Sequence, residues 1–289
     1  MEPIEKANIL IEALPYIRNF YGKTFVIKFG GAAQIDERLR NAFAQDVVLM
    51  NFIGIRPVIV HGGGPLISAT MEKMGKKPIF VQGQRVTDKE TMDIVEMVLG
   101  GLINKQIVAL ITSYGGKAVG LSGKDGGMIK AQKKVIKKIS RDAEEIIDIG
   151  LVGEVKEVDP HIVFALEKEG IIPVISPIGI GPQDETLNIN ADNISAAIAI
   201  ALKAEKLIFL TDVKGINDKK GKIIPTLAGS KARKLIADGT VTGGMLPKIQ
   251  SCIKAVEEGV KKTHIIDGRI PHCLLLEIFT KEGIGTEIL

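Results

Sequence analysis

RPVIVHGGGP, residues Arg56 to Pro65, is the stretch on which the fold turns. Val58, Ile59 and Val60 form an apolar, β-branched run of the kind that fills a strand buried on both faces, as parallel strands are. Three consecutive glycines, Gly62 to Gly64, then free the backbone from ordinary φ limits. A loop of this kind is built for close approach, and consecutive bare N–H groups ahead of a helix suit a phosphoryl group or a carboxylate.

The same alternation recurs on both sides of this unit. Strands are expected at Thr24–Phe29, Pro57–His61, Lys117–Leu121, Ile171–Ser176, Lys206–Thr211 and Thr263–Asp267, and amphipathic helices begin at Asp36, Asp88, Ala191 and Gly243. Strands alternating with helices imply an α/β protein with a largely parallel sheet covered on both faces. The Pro- and Gly-rich passage Pro173–Asp192 is the one long stretch without clear periodicity, so the boundary between two expected lobes is placed inside it. The resulting division is 1–22, 23–183 and 184–289. No internal repeat or low-complexity segment is evident.

Composition narrows the function. A chain of 289 residues with 45% hydrophobic content can bury one large core or two smaller ones. A net charge of +4, with 4% aromatic residues and no Trp, leaves little for stacking on bases, so nucleic acid is not an expected partner. The basic stretch KAQKKVIKKIS, from Lys130, reads as a half-buried strand or hairpin edge with its charges in water. Cys252 and Cys273 form no CxxC pair, which suits a reducing compartment. No apolar run is expected to reach the ~20 residues needed to cross a bilayer. The N-terminus is too acidic for a signal peptide, and a cytoplasmic location with no membrane association is expected.

Ligands of open parallel sheets bind beyond the carboxyl ends of the strands. Four such ends carry suggestive residues: KFGGAA from Lys28, HGGGP from His61, GLSGKDGG from Gly120 and TDVKGI from Thr211. None matches a P-loop or a GxGxxG dinucleotide turn. One glycine-rich turn alone is equally explained by tight strand-to-helix packing, whereas two after apolar strands favour a ligand. Lys28 interrupts an otherwise apolar strand, so its ammonium group must snorkel or project into a polar cleft. Lys248, just past the Gly243–Gly244 pair, is an ordinary surface lysine when taken alone.

The ordered set KFGG, VIVHGGGP, QGQRVTD, GLSGKDGG, LNINAD, LTDVKGI and GGMLPKI closely resembles the amino-acid kinase family, over essentially the whole chain. HGGGP followed by RVTD and NINAD points to its acetylglutamate branch. The resemblance implies a three-layer α/β/α sandwich of two lobes. It also implies transfer of the γ-phosphoryl group of ATP to the side-chain carboxylate of N-acetyl-L-glutamate. Lys28, Lys248 and Asp192, with Gly31 and Gly64, match the catalytic positions; Gly63, Gly64, Arg85 and Asn188 match the acceptor site. Thr211 and Asp212, with the two lysines, match the nucleotide side. Mg²⁺ would arrive with ATP, held mainly by phosphates, with no metal-binding carboxylate cluster in the chain. Lys124 and Asp125 acquire no role.

The chemistry agrees with this residue set. A glutamate carboxyl group, with a reference pKa of ~4.3, is already ionised at neutral pH, so charge neutralisation is needed and a general base is not. Another carboxylate or carbamate kinase of the same fold, or a non-catalytic amino-acid sensor, is the alternative reading; a sensor has no use for two phosphoryl-facing lysines.

Before the first strand, Leu10, Leu14, Ile17 and Tyr21 lie on one helical stripe that the catalytic lobe would not obviously bury, and Pro15 is expected to kink that helix without ending it. A helix packed on its own lobe is the plainer reading. The C-terminal segment from Thr263 resembles that of the arginine-inhibited members of the branch. His264, Glu277 and Gly283 match the positions lining their arginine site, and the resemblance implies a homohexamer, a trimer of dimers, inhibited by L-arginine.

Overall fold

The computed structural model describes residues 2–139, 144–281 and 283–289. Met1 of the expected N-terminal segment 1–22, Ser140 of the basic stretch and Glu282 of the C-terminal segment lie outside the described residues. Helix α1 (Pro3–Phe20) precedes strand β1 (Thr24–Phe29), and the first glycine pair turns into α2 (Ala32–Ile35) and α3 (Glu37–Phe52). Next come β2 (Arg56–His61), α4 (Gly64–Lys73) and the short strands β3 (Phe80–Val81) and β4 (Gln84–Arg85). A continuous helical rod follows: α5 (Lys89–Glu96), a π-helical stretch (Met97–Ile103) and α6 (Asn104–Ser113). The middle of the chain is mainly strand: β5 (Ala118–Ser122), β6 (Ile129–Lys133), β7 (Ile136–Ile139), β8 (Glu144–Ile147) and β9 (Val152–Val158). Helix α7 (His161–Lys168) leads to β10 (Ile172–Ser176), β11 (Ile178–Ile180) and β12 (Thr186–Ile189). The remainder is α8 (Ala191–Ala201), β13 (Lys206–Thr211), β14 (Thr226–Leu227), α9 (Gly229–Ala237), α10 (Met245–Glu257), β15 (Lys262–Asp267), α11 (Cys273–Phe279) and β16 (Thr286–Ile288).

One eight-stranded sheet, ordered β14-β16-β15-β13-β1-β2-β10-β5, forms the middle layer. Its pairings are parallel apart from β15 with β16. All six strands expected from β-branched runs lie in it, within a residue or so of the expected ends. The chain enters at β1, builds outward through β2, and later returns to the other side of β1 with β13. That reversal is the switch point at which open sheets present a crevice.

Alternation along β1 divides the core in two. Phe25, Ile27 and Phe29 face a cluster with α3 and the helical rod, where the Phe29 and Phe43 rings stack at 3.9 Å. Val26 faces the opposite cluster, under α8 and α10. Lys28, two residues on, shares the Val26 face.

Two expectations need correction. Beyond the expected strand at Ile171–Ser176, the supposedly aperiodic passage contains β11 and β12, and β6, β9, β11 and β12 close into a small barrel. β11 and β12 pair with each other as a short antiparallel hairpin, and their other partners, β6 and β9, lie too far along the chain for a window of residues to reveal them. The second concerns the rod Lys89–Ser113, which at 25 residues with mean hydropathy 1.7 has the length and composition to cross a bilayer. Charged residues early in it break up any plain apolar run, and Ile94, Val98, Leu99, Ile107 and Ile111 are buried in the core.

Candidate active site

Asn190, not Asp192, caps α8: its side chain accepts from the Asp192 and Asn193 amides at 2.9 and 3.2 Å. The Asp192 carboxylate is thereby free to turn toward β1. Its Oδ1 lies 3.3 Å from Lys28 Nζ, and its Oδ2 accepts from Lys248 Nζ, on the first turn of α10, at 2.5 Å. Three residues from β1, α8 and α10 thus meet at the end of the Val26 face, as the alternation of β1 requires.

Burial lowers the Lys28 pKa; Asp192 opposes that effect and Lys248 reinforces it. Burial alone would raise Asp192, yet the two ammonium groups outweigh it and hold the carboxyl below its ordinary value. At 3.3 Å the Lys28 contact is one of charge, and Asp192 Oδ1 is buried without a hydrogen-bond partner among the described residues. The cluster carries net positive charge at the carboxyl end of β1.

The glycine loops lie against these groups. A Cβ at Gly30 would sit 2.6 Å from Lys28 Nζ. Gly31 has φ +68°, and a Cβ there would meet Asp212 Oδ1 at 2.5 Å, while the next amide, Ala32 N–H, donates to that oxygen at 2.7 Å. At Gly63 a Cβ would strike Ile103 Cδ1 and Leu99 Cδ2, at 2.5 and 2.6 Å. At Gly64 nothing among the described residues lies within 4 Å of the Cβ position, so its side faces open space.

Arg85, on β4, is drawn into the protein interior. It is buried, with its guanidinium over the Phe80 ring at 4.8 Å and Nη2 donating to Gly64 O at 3.0 Å and Ser68 Oγ at 2.7 Å. The fork is thus anchored to the first turn of α4, beside the second glycine loop. Asn188, on β12, donates from Nδ2 to Thr87 Oγ1 at 3.3 Å. The sequence reading missed Phe80 and Ser68, because neither carries charge or lies in a motif.

On the other side of the switch point, an open pocket of about 810 Å³ is lined by Asp212, Lys214, Asp218, Met245 and Arg269 among others. Thr211 closes β13, and its hydroxyl is used internally, against Ile266 O at 3.1 Å and Val213 O at 3.0 Å. Arg269 was also missed; Nε and Nη2 each donate to the Asp267 carboxylate at 2.8 Å, a fork-to-fork pair at the pocket wall.

His264, Glu277 and Gly283, from β15, α11 and the loop before β16, come together in space. His264 Nδ1 lies 2.6 Å from Glu277 Oε1, Glu277 Oε2 accepts from Ile284 N at 2.8 Å, and a Cβ at Gly283 (φ +61°) would lie 2.8 Å from the same oxygen. Lys206 Nζ, 3.1 Å from His264 Nε2, completes a buried chain of polar groups. Burial lowers His264 while Glu277 opposes; for Glu277, burial raises the pKa but the His264 contact leaves it lowered. On α1, which touches this region through Tyr16 against Phe279, Leu10 and Ile11 are 71% and 67% exposed. The helix runs through Pro15 without ending.

Among the described residues no three His, Cys, Asp or Glu side chains converge as a metal cage. Asp192 is taken by two lysines and Asp212 by the Ala32 amide. The Lys28 ammonium group faces Gly30 and Gly62, and a cation beside such loops suits phosphate oxygens.

Residues 23–267 match the amino acid kinase family. An acetylglutamate kinase from Syntrophus aciditrophicus (strain SB) is 56% identical over 290 residues, covering 100% of this chain and 98% of its own length. One from Sulfurihydrogenibium sp. (strain YO3AOP1) is 57% identical over 293 residues, covering 99% and 98%. Among solved structures, N-acetylglutamate synthase from Neisseria gonorrhoeae, complexed with coenzyme A and N-acetyl-glutamate, superposes with a TM-score of 0.83 at 27% identity. That match covers 98% of this chain, which spans 63% of the synthase chain.

Proposed function

The chain belongs to the amino acid kinase family and, within it, to the acetylglutamate kinases, and from that membership we propose that it transfers the γ-phosphoryl group of ATP to the side-chain carboxylate of N-acetyl-L-glutamate, giving N-acetyl-L-glutamyl 5-phosphate for arginine biosynthesis. The observation that carries this reading is one buried carboxylate, Asp192, paired with two lysines beside two glycine loops.

The acceptor carboxylate is ionised at neutral pH and attacks the γ-phosphorus without a base. Two anions must be brought together, so the protein's task is alignment and charge neutralisation. Lys28 and Lys248 supply positive charge to the transferred group, and Asp192 fixes the position of both ammonium groups. Amides of Gly31, Gly63 and Gly64 receive the equatorial oxygens. Arg85 grips the α-carboxylate of the acceptor through its planar fork, and Asn188 hydrogen-bonds the same molecule. Thr211 and Asp212 border the nucleotide. Mg²⁺ bound by the β- and γ-phosphates would neutralise their charge; with carboxylates already paired, its ligands would be phosphate oxygens and water.

In this reading residues 23–183 form the acceptor lobe and dimer contact, and residues 184–289 the ATP lobe. The seam between β1 and β13 supports the division. Residues 1–22 serve assembly into a homohexamer, a trimer of dimers, and His264, Glu277 and Gly283 border a site for inhibitory L-arginine. The clustering of these three residues beside an apolar, exposed α1 supports that part. A cytoplasmic location is part of the same proposal.

Hydroxylamine trapping tests the reaction type. With MgATP and N-acetyl-L-glutamate, hydroxamate should form in step with ADP; ADP release without hydroxamate would exclude a carboxylate acceptor.

A further inference from the structure

The second glycine loop is held by residues that the mechanism above leaves unused. Gly62 donates its N–H to Phe29 O at 2.9 Å. Its carbonyl is met from two sides: Gln34 Nε2, on α2, donates at 2.9 Å, and His61 Nδ1 lies at 3.0 Å. His61 is fully buried, and burial pushes its pKa down to about 4, so the ring is neutral at physiological pH. With the proton on Nδ1, Nε2 accepts from Asn104 Nδ2 at 3.3 Å, and Asn104 also donates to Val174 O at 2.8 Å. Gln34 therefore ties the loop after β1 to the loop after β2, and His61 ties that second loop to the helical rod.

A trans peptide directs its C=O and N–H to opposite sides of the chain. A Gly62 carbonyl fixed toward Gln34 and His61 thus sends the Gly63 N–H the other way. That N–H has no acceptor among the described residues. The Gly62 Cβ position faces Lys28 Nζ at 4.0 Å, which sets the loop beside the lysine pair, and Leu99 and Ile103 of the π-helical stretch close the space behind Gly63. We infer that Gln34 and His61 are positioning residues that clamp the Gly62 carbonyl and so aim the Gly63 amide at the transferring phosphoryl group. The inference rests on the kinase reading, and it is specific to a donor at position 34.

Gln34 carries the test, since a change at the fully buried His61 could prevent folding. Gln34→Met fills similar volume without a donor; Gln34→Glu presents a carboxylate that repels the Gly62 oxygen at high pH and, once protonated, donates to it. Turnover of Gln34→Met should fall about tenfold or more with the acceptor KM little changed, because the misaimed amide acts on the transition state. Its affinity for the triphosphate analogue AMP-PNP should drop roughly threefold or more relative to ADP. The ratio of Gln34→Glu to wild-type turnover should rise at least about threefold from pH 8 to pH 5.5, while the Gln34→Met ratio stays flat.

Turnover within about twofold of wild type in both variants, loss confined to KM, or a pH-independent deficit in Gln34→Glu would each overturn the clamp. A wild-type protein that fails to phosphorylate N-acetyl-L-glutamate would sink the functional reading instead, and the AMP-PNP to ADP comparison would still decide the clamp. A wild type that binds neither nucleotide removes both.

Discussion

The Ala32 amide donates to Asp212 Oδ1 at 2.7 Å, joining the loop after β1 to the end of β13 across 180 positions of sequence. That bond spans the two halves of the sheet at the point where they meet. It also explains why Gly31 must lack a side chain, since its Cβ position lies 2.5 Å from the same oxygen. Gly31→Ala should therefore reduce kcat/KM for ATP by about tenfold or more, through both the collision and a φ of +68°. Asp212→Ala removes the obstacle and the hydrogen bond together, so the double variant should fall well short of the product of the single losses. Multiplicative effects would show that the two residues do not meet.

Lys28→Ala leaves Asp192 paired with Lys248 alone, and turnover should fall on the order of a hundredfold while the protein stays folded. Lys28→Arg should not rescue it: the ammonium group already lies 2.6 Å from the Gly30 Cβ position, and a guanidinium needs more room. Near-normal turnover in either variant, measured as ADP release, contradicts the role.

Asp46, on α3, is buried to 1% exposure and accepts from His272 Nδ1 at 2.6 Å, with Oδ2 lacking a partner among the described residues. Burial raises its pKa from 3.8 to about 6, although His272 opposes the rise. A raised native pKa means the group stabilises the fold fully below about pH 4, by ~3 kcal/mol, and that this is lost as pH rises through about 6. Asp46→Asn should accordingly cost more stability relative to wild type at pH 5 than at pH 8. Urea unfolding at the two pH values measures the difference, and equal cost would show that Asp46 is not buried as described.

Truncation after Leu14 removes the exposed apolar side chains of α1 but keeps Tyr16 and Phe20, whose rings pack on Phe279 and Phe25. Mass in solution should fall from hexamer to dimer, and inhibition by L-arginine should weaken with turnover retained. A truncated enzyme that is still hexameric and fully arginine-sensitive would mean that α1 serves another purpose.

The parallel sheet was legible because its strands are buried on both faces, and β-branched runs such as Val58–Val60 follow directly from that burial. Lys28 was legible as the one charge in such a run. The small barrel was not, because β11 and β12 have three or four residues each and find partners in β6 and β9 far along the chain. Asn190 was overlooked as the α8 cap because Asp192, two residues on, is equally good capping chemistry; only the charge of the lysine pair decides which carboxamide or carboxylate turns inward. The roles of Gln34 and Ser68 depend on backbone carbonyls and side chains brought close by tertiary packing, and no sequence spacing marks them.

The most direct test of the central claim is ADP release with MgATP and, in parallel, N-acetyl-L-glutamate, L-glutamate, L-aspartate and carbamate. The account predicts that kcat/KM is highest for N-acetyl-L-glutamate by at least about tenfold, since the proposed acceptor site assigns Arg85 to the α-carboxylate and Asn188 to the same molecule. Equal or better turnover of any other acceptor in the set would contradict it.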